Sequence, residues 1–183
     1  MIVIYWLCSY LLGTVLTAYF VAKSQGIDLS TEGSGNFGAR NIGRVVGKWA
    51  FIVTMLGDAL KGAIVVMAGH LLALPLLYTV IGLILCVAGH VFPFWRKFKG
   101  GKGVATGIGG LLFVFPYAIV FLVIGFGVVV YLTKSATKGM LGAFAAYMAY
   151  FIYNYSVTSI AVFVVILLVI FANRENIAEK YVK

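Results

Sequence analysis

The chain has 183 residues, of which 63% are hydrophobic and only 10% are charged, and its mean hydropathy is +1.07. A soluble domain carries about 25% charged and roughly 45–50% apolar residues, so this composition excludes a soluble globular protein and indicates a single all-α integral membrane domain over residues 1–183. The net charge of +9 does not indicate nucleic-acid binding, because the cations lie in short segments between apolar runs.

Five apolar runs follow one another along the chain. A helix needs about 20 apolar residues to cross a bilayer, and each run approaches or exceeds that length: residues 2–22, 49–74, 76–94, 104–132 and 139–172. The first run has no basic residue before it, so we interpret it as a membrane helix and not as a cleaved signal peptide.

The basic residues predict the topology. All of the 14 lysines and arginines except Lys61 lie in four segments outside the runs, and the positive-inside rule places such segments in the cytoplasm. Runs 104–132 and 139–172 must then each cross twice, turning at Phe115-Pro116 and near Asn154-Tyr155-Ser156. This predicts about seven transmembrane helices, with the N-terminus outside and the C-terminus cytoplasmic. A five-helix alternative with single tilted crossings would leave Lys134 and Lys138 outside.

Three segments at the predicted cytoplasmic face share an unusual composition. They are motif loop 1 (residues 23–48, with EGSGNFGARNIGR), the glycine loop (residues 95–103, within FPFWRKFKGGKGVATG) and the tail (residues 173–183, beginning NRENI). The G-x-G-x-x-G pattern at Gly33 lies between membrane helices, which leaves no room for the βαβ unit of a dinucleotide site.

The chemistry of these segments points to anion binding. Glycines let backbone N–H groups approach an oxyanion, lysine supplies a point charge, and arginine a two-pronged donor. The P-loop pattern is absent, so the phosphate need not belong to a nucleotide. No nucleophile lies beside a base, and no spacing suits a metal, so we expect neither metal nor cofactor. Basic loops that serve only as topology signals are the alternative.

Charges within the apolar runs are a separate signal. Asp58 and Lys61 lie three residues apart on one predicted helix, so they can pair. An ionisable residue inside the membrane is a functional-site candidate, and this pair could either brace the site or contact substrate. His90 precedes the glycine loop, where a general base or a helix-end hydrogen bond would both fit.

Four stretches of the chain resemble a known family. GSGNFGARNIGRVVG, DALKG, GHVFPFWRKFKGGKGVATGIG and NRENI are similar, in order and spacing, to the acyl-phosphate-dependent glycerol-3-phosphate acyltransferases of bacteria, the PlsY family. The resemblance implies a seven-helix, multi-pass protein of the bacterial cytoplasmic membrane. It also implies transfer of an acyl group from acyl phosphate to the 1-hydroxyl of sn-glycerol 3-phosphate, giving lysophosphatidic acid and phosphate in phospholipid biosynthesis.

The same resemblance implies roles for individual residues and partners. The catalytic residues would be Ser34, Arg44, Lys102 and Asn176. Substrate or phosphate binding would fall to Gly35, Asn36, Gly38, Asn41, His90, Gly100, Gly101, Gly103 and Thr106, with support from Asp58, Lys61 and Asn173. Arg44 would hold a phosphate through two hydrogen bonds, and Lys102 would neutralise the leaving phosphate. Besides membrane lipid and the two substrates, a soluble enzyme that produces acyl phosphate is a candidate partner.

The chain departs from the family pattern at several positions. The family usually has Pro or Leu at Phe37, Thr at Arg40, His at Asn173 and Arg at Glu179. Two alternatives follow, namely a related acyltransferase with a different acceptor and a non-catalytic membrane protein that binds acyl phosphate. A transporter is disfavoured, because the charges cluster at one face and no repeated broken helices are evident.

Overall fold

The computed structural model describes residues 1–153 and 157–174, and within these residues the chain is helical. The α-helices are α1 (Ile2–Gly13), α2 (Thr17–Ser24), α3 (Ala39–Val45), α4 (Lys48–Leu71), α5 (Leu76–Val91), α6 (Val104–Val114), α7 (Ile119–Thr133), α8 (Ala136–Tyr153) and α9 (Val157–Ala172). Except for α3, they follow the apolar runs, because a helix satisfies its backbone polar groups internally where no water is available. The prediction of an all-α chain is confirmed.

Within residues 1–153 and 157–174, three stretches are long and apolar enough to cross a membrane: Ile2–Ser24, Lys48–Leu71 and Leu76–Arg96. The last includes a 3₁₀ turn at Phe94–Arg96. Three shorter apolar helices, Val104–Val114, Ile119–Thr133 and Ile160–Ala172, follow them. The presence of membrane helices is confirmed, whereas the count of seven crossings stays a prediction.

The run at residues 104–132 is broken where the proline predicts. Helix α6 ends at Val114, a 3₁₀ turn covers Pro116–Ala118, and α7 begins at Ile119. Proline has no N–H to donate and disfavours the α conformation of the residue before it, and Phe115 accordingly has φ −142° and ψ 82°. The second predicted turn, Asn154-Tyr155-Ser156, lies outside the described residues, between the end of α8 and the start of α9.

A break in the first apolar run was not predicted. Helix α1 ends at Gly13 and α2 begins at Thr17. The carbonyls of Gly13 and Val15 accept hydrogen bonds from Lys61 Nζ at 3.1 and 2.7 Å. Unsatisfied carbonyls are costly in apolar surroundings, so the lysine of α4 stabilises this interruption.

Glycines allow close contact between helix backbones. A Cβ on Gly62 would collide with the Thr106 carbonyl, and one on Gly109 with the Ala59 carbonyl, so α4 and α6 touch. Gly13 and Gly89 bring α1 and α5 together in the same way. Small residues permit this packing, which contributes van der Waals contact where lipid offers no hydrophobic driving force.

Two apolar clusters support the motif segments from below. The larger lies among α4 to α9 and includes Val66, Leu83, Leu111, Phe144 and Val165. The smaller lies beneath motif loop 1 and includes Leu16, Leu29, Phe37, Ile42 and Ala50. The second cluster gives the polar, glycine-rich motif loop 1 a packed base between α2 and α4.

We expect Gly109→Ala to destabilise the protein, because its methyl group would overlap the backbone of Ala59. Overpacking of this kind costs about 1–3 kcal/mol, which should lower the unfolding temperature in detergent by several degrees. Gly127→Ala on α7 is the matched control, because a Cβ there has no atom within 4 Å. Equal unfolding temperatures for the two variants would contradict the close α4–α6 contact.

Candidate active site

Motif loop 1 is closed by the side chain of Asn41, which is only 3% exposed. Asn41 Oδ1 accepts from the backbone N–H of Ser34 at 2.9 Å, and its Nδ2 donates to the Glu32 carbonyl at 3.0 Å. Gly33 and Gly35 have φ of +59° and +65°, and a Cβ on Gly33 would overlap Asn41 Oδ1. The sequence therefore folds this turn so that the Ser34 side chain is exposed.

The start of the same loop is an Asx turn. Asp28 Oδ1 accepts from the Ser30 hydroxyl at 2.6 Å and from the Ser30 N–H at 3.0 Å. These two hydrogen bonds hold the pKa of the Asp28 carboxyl below its usual value, and the positive charge of Arg96 adds a smaller effect in the same direction. These hydrogen bonds fix the turn at Asp28.

The glycine loop folds back onto the end of α5. Gly100 N–H donates to the Val91 carbonyl and Gly101 N–H to the His90 carbonyl, both at 3.0 Å. Gly103, at φ +73°, directly precedes the first residue of α6, and no side chain caps this end of the helix. Lys102 therefore lies beside the N-terminal N–H groups of α6, which have no acceptor within their helix. Such a helix end attracts anions, and the lysine adds a full positive charge.

Three contacts join the motif segments. Asn36 Nδ2 donates to the Gly100 carbonyl at 3.4 Å, which links motif loop 1 to the glycine loop. The Arg96 guanidinium lies 4.5 Å from the centre of the Phe37 ring, a cation–π contact between the same two loops. At the start of the tail, Asn173 Nδ2 donates to the Lys102 carbonyl at 3.4 Å.

The predicted site residues fall into two groups. Ser34 and Arg44 are exposed, and some surface remains on Gly35, Asn36, Gly38, Gly100 and Lys102. The others are buried: Asn41, Asp58, Lys61, His90, Gly101, Gly103, Thr106 and Asn173. Asn176 lies outside the described residues. Side chains of the second group face the protein interior, and the Thr106 hydroxyl makes no hydrogen bond within the described part of the chain.

A buried polar cluster lies directly under the glycine loop. Lys61 Nζ lies 3.2 Å from Asp58 Oδ1 and 2.7 Å from His90 Nδ1. Asp58 Oδ1 also accepts from the Thr17 hydroxyl at 3.1 Å. The His90 ring lies against Gly101, because a Cβ on that glycine would overlap the ring at Nε2. The intramembrane charges are therefore connected to the glycine loop through His90.

Two cavities flank the glycine loop. One, of about 340 Å³, is lined by Tyr19, Ala22, Lys23, Gly26, Ile27, Asp28, Leu29, Phe37 and Arg96. The other, of about 320 Å³, lies between α6, α7 and α8 and is lined by Val104, Ile108, Ile119, Leu122, Val123, Phe126, Met140, Ala143 and Phe144. The second cavity is apolar throughout, and it begins one residue beyond the glycine loop.

Sequence reasoning missed the residues that hold the loops together. Trp95 Nε1 donates to the Thr14 carbonyl at 3.1 Å, and Arg96 stacks on Phe37. Neither contact has a sequence signal, because each joins residues that are distant along the chain. Phe37 does depart from the family pattern, and an aromatic ring at this position is what allows the stacking on Arg96.

Comparison with known proteins places this chain in a family. The family model described as "Glycerol-3-phosphate acyltransferase" matches residues 3–181. Glycerol-3-phosphate acyltransferase 1 of Bacillus cereus is 44% identical over 176 residues, covering 94% of this chain and 96% of that protein. Glycerol-3-phosphate acyltransferase of Endomicrobium trichonymphae is 35% identical over 178 residues, covering 96% and 89%.

The fold is similar to that of a solved relative. The crystal structure of PlsY (YgiH), described as an integral membrane glycerol 3-phosphate acyltransferase, matches in its glycerol 3-phosphate form with a TM-score of 0.90 and 28% identity, covering 99% of this chain and 92% of that chain. Its lysophosphatidic acid form matches with a TM-score of 0.88 and 27% identity. The resemblance to the PlsY family is thereby confirmed, and the chain belongs to the glycerol-3-phosphate acyltransferase family.

Proposed function

We propose that this chain transfers an acyl group from acyl phosphate to the 1-hydroxyl of sn-glycerol 3-phosphate, giving lysophosphatidic acid and inorganic phosphate. The observation that carries the proposal is the position of Lys102, two residues before Val104, which is both the first residue of α6 and part of the wall of the apolar cavity. A site for a phosphate and a site for an acyl chain are thus adjacent. The relative solved in glycerol 3-phosphate and lysophosphatidic acid forms supports the acceptor and the product.

The proposed donor suits a site without a nucleophilic side chain. Acyl phosphate is an activated mixed anhydride, so the acceptor hydroxyl attacks the acyl carbon, the bond to the phosphate oxygen breaks, and phosphate leaves. Lys102 and the first N–H groups of α6 would neutralise the charge that develops on the leaving phosphate. A phosphate oxygen of the substrates would take the hydroxyl proton, so positioning and electrostatic stabilisation supply the catalysis.

Motif loop 1 is the proposed site for the acceptor. Arg44 lies exposed in the last turn of α3, where its guanidinium can bind the phosphate of glycerol 3-phosphate through two hydrogen bonds. The exposed Ser34 would orient an acceptor oxygen, and Asn176 of the tail would do the same. The side-chain amide of Asn41 bonds the backbone of the loop, and it would thereby fix the position of Ser34 relative to Arg44.

The topology proposed for this reaction has seven crossings, the N-terminus outside, and motif loop 1, the glycine loop and the tail at the cytoplasmic face of the bacterial membrane. The distribution of lysine and arginine supports it. Contacts between Asn36 and Gly100 and between Asn173 and Lys102 support a common face for the three segments.

We expect Lys102→Ala to lower kcat/KM by about 10²–10³, since it removes the charge facing the leaving phosphate. The assay is phosphate and lysophosphatidic acid production by purified protein given palmitoyl phosphate, with and without glycerol 3-phosphate. Lys99→Ala is the matched control, because it removes an exposed lysine from the same loop. Folded wild-type protein that binds palmitoyl phosphate but releases no phosphate with glycerol 3-phosphate would contradict the proposal and favour another acceptor or a binding protein.

Ala143→Trp should fill the apolar cavity from its α8 wall and hinder a long acyl chain. We expect the KM for palmitoyl phosphate to rise about tenfold, which corresponds to about 1.4 kcal/mol, while the KM for butyryl phosphate changes little. Ala145→Trp on the same helix is the control, because Ala145 is exposed and does not line the cavity. An equal rise in KM for both donors would show that the chain binds elsewhere.

Asn173 stands where the family usually has histidine, and its amide bonds the Lys102 and Val169 carbonyls. Asn173→Leu removes this donor at similar volume, so we expect kcat to fall about fivefold, as for loss of one hydrogen bond of about 1 kcal/mol. Asn173→His keeps a ring N–H and should retain most of the activity. Full activity of the folded leucine variant, measured in the same phosphate-release assay, would show that the contact with Lys102 is unimportant.

A further inference from the structure

Asp58, Lys61 and His90 form a buried cluster of ionisable side chains among the membrane helices. We propose that Lys61 is a positioning residue whose ammonium group fixes both ends of the glycine loop. The role given to that loop in acyl transfer rests on the proposed function, whereas the positioning itself rests on the contacts alone.

The ammonium group of Lys61 is fully occupied by protein atoms. Four acceptors lie around Nζ: the carbonyls of Gly13 at 3.1 Å and Val15 at 2.7 Å, Asp58 Oδ1 at 3.2 Å and His90 Nδ1 at 2.7 Å. An ammonium has only three hydrogens, and the side chain is 5% exposed. No donor remains for a substrate, so Lys61 acts through its neighbours.

One arm of this arrangement runs through His90 to the end of the glycine loop. Because Lys61 donates to Nδ1, the neutral imidazole carries its proton on Nε2. The Nε2 edge lies against Gly101, where a Cβ would overlap it, and the His90 carbonyl accepts the Gly101 N–H at 3.0 Å. The ring and the carbonyl group of His90 therefore both contact Gly101, which directly precedes Lys102.

The other arm runs through the break between α1 and α2 to the start of the loop. Lys61 bonds the carbonyls on either side of Thr14, and the Thr14 carbonyl itself accepts from Trp95 Nε1 at 3.1 Å. Trp95 is the first residue of the glycine loop. A single side chain on α4 thus contacts the groups that hold Trp95, at the start of the loop, and Gly101, near its end.

A role in stability alone does not account for this geometry. Buried ion pairs can often be replaced by apolar residues without loss of stability, and a lysine within a membrane helix is costly. An apolar residue in place of Lys61 cannot form the hydrogen bonds to the carbonyls of Gly13 and Val15 and to His90 Nδ1. Replacement of Asp58 and Lys61 by uncharged residues should therefore change the position of the glycine loop with little effect on the stability of the protein.

The test uses the double variant Asp58→Asn with Lys61→Met, which leaves no uncompensated charge, beside Lys61→Arg, which keeps the donors. Trp95→Phe releases only the start of the loop. Because Trp95 is partly exposed, we expect this variant to fold even if the double variant does not. Thr54→Val is the matched control, since this buried hydroxyl on the same helix makes no hydrogen bond within the described residues.

Two readouts are measured on purified full-length protein in detergent. The first is amide hydrogen exchange of a peptide spanning residues 95–103, with a peptide from α8 as reference. We expect exchange at least tenfold faster in the double variant and in Trp95→Phe, with the α8 peptide unchanged. The second is the inhibition constant of inorganic phosphate against palmitoyl phosphate, which should rise about tenfold in the double variant and recover in Lys61→Arg.

The two hypotheses fail in different ways. If the variants show faster exchange confined to the glycine loop but the wild type has no acyltransferase activity, the proposed function is contradicted and the positioning role is supported. An active wild type whose folded variants keep both the loop exchange rate and the inhibition constant for phosphate would show that Lys61 does not position the loop. Faster exchange throughout the bundle would also overturn the inference, because the role would then be general stability.

Discussion

The arrangement of the site depends on one ammonium group held inside an apolar bundle. Helix α4 is continuous at Lys61. The ammonium group of this residue stabilises the break between α1 and α2 and bonds the ring of His90. Burial makes each of these interactions strong and also makes the absence of a partner costly. The geometry around Lys61 is therefore tightly constrained, and the residues that it contacts belong to α1, to the break that follows it, to α4 and to α5.

Much of the fold could be predicted from the sequence. Apolar runs gave the helices, and Phe115-Pro116 marked a real interruption because proline cannot donate a hydrogen bond. The break at Thr14 could not be predicted, since its cause is a lysine 46 or 48 residues away along the chain. The sequence identified Asp58 and Lys61 as unusual, but it could not show which backbone atoms they would meet.

The same limit applies to the candidate site. The motif stretches carried the resemblance to the glycerol-3-phosphate acyltransferases, and that family is confirmed, whereas the anion site that glycine, lysine and arginine indicate stays a prediction. They did not separate exposed residues such as Ser34 from buried ones such as Asn41 and His90. In a loop without periodicity, the direction of each side chain follows from long-range contacts such as the one between Asn41 and Ser34.

The two cavities on either side of the glycine loop have a consequence for how substrates arrive. The first cavity has the charged side chains of Lys23, Asp28 and Arg96 in its lining, whereas the one that begins at Val104 is apolar. On the proposed function, the charged cavity suits the approach of a water-soluble acceptor, and the apolar cavity suits the chain of a donor dissolved in the bilayer. Neither molecule would then have to change solvent before the reaction.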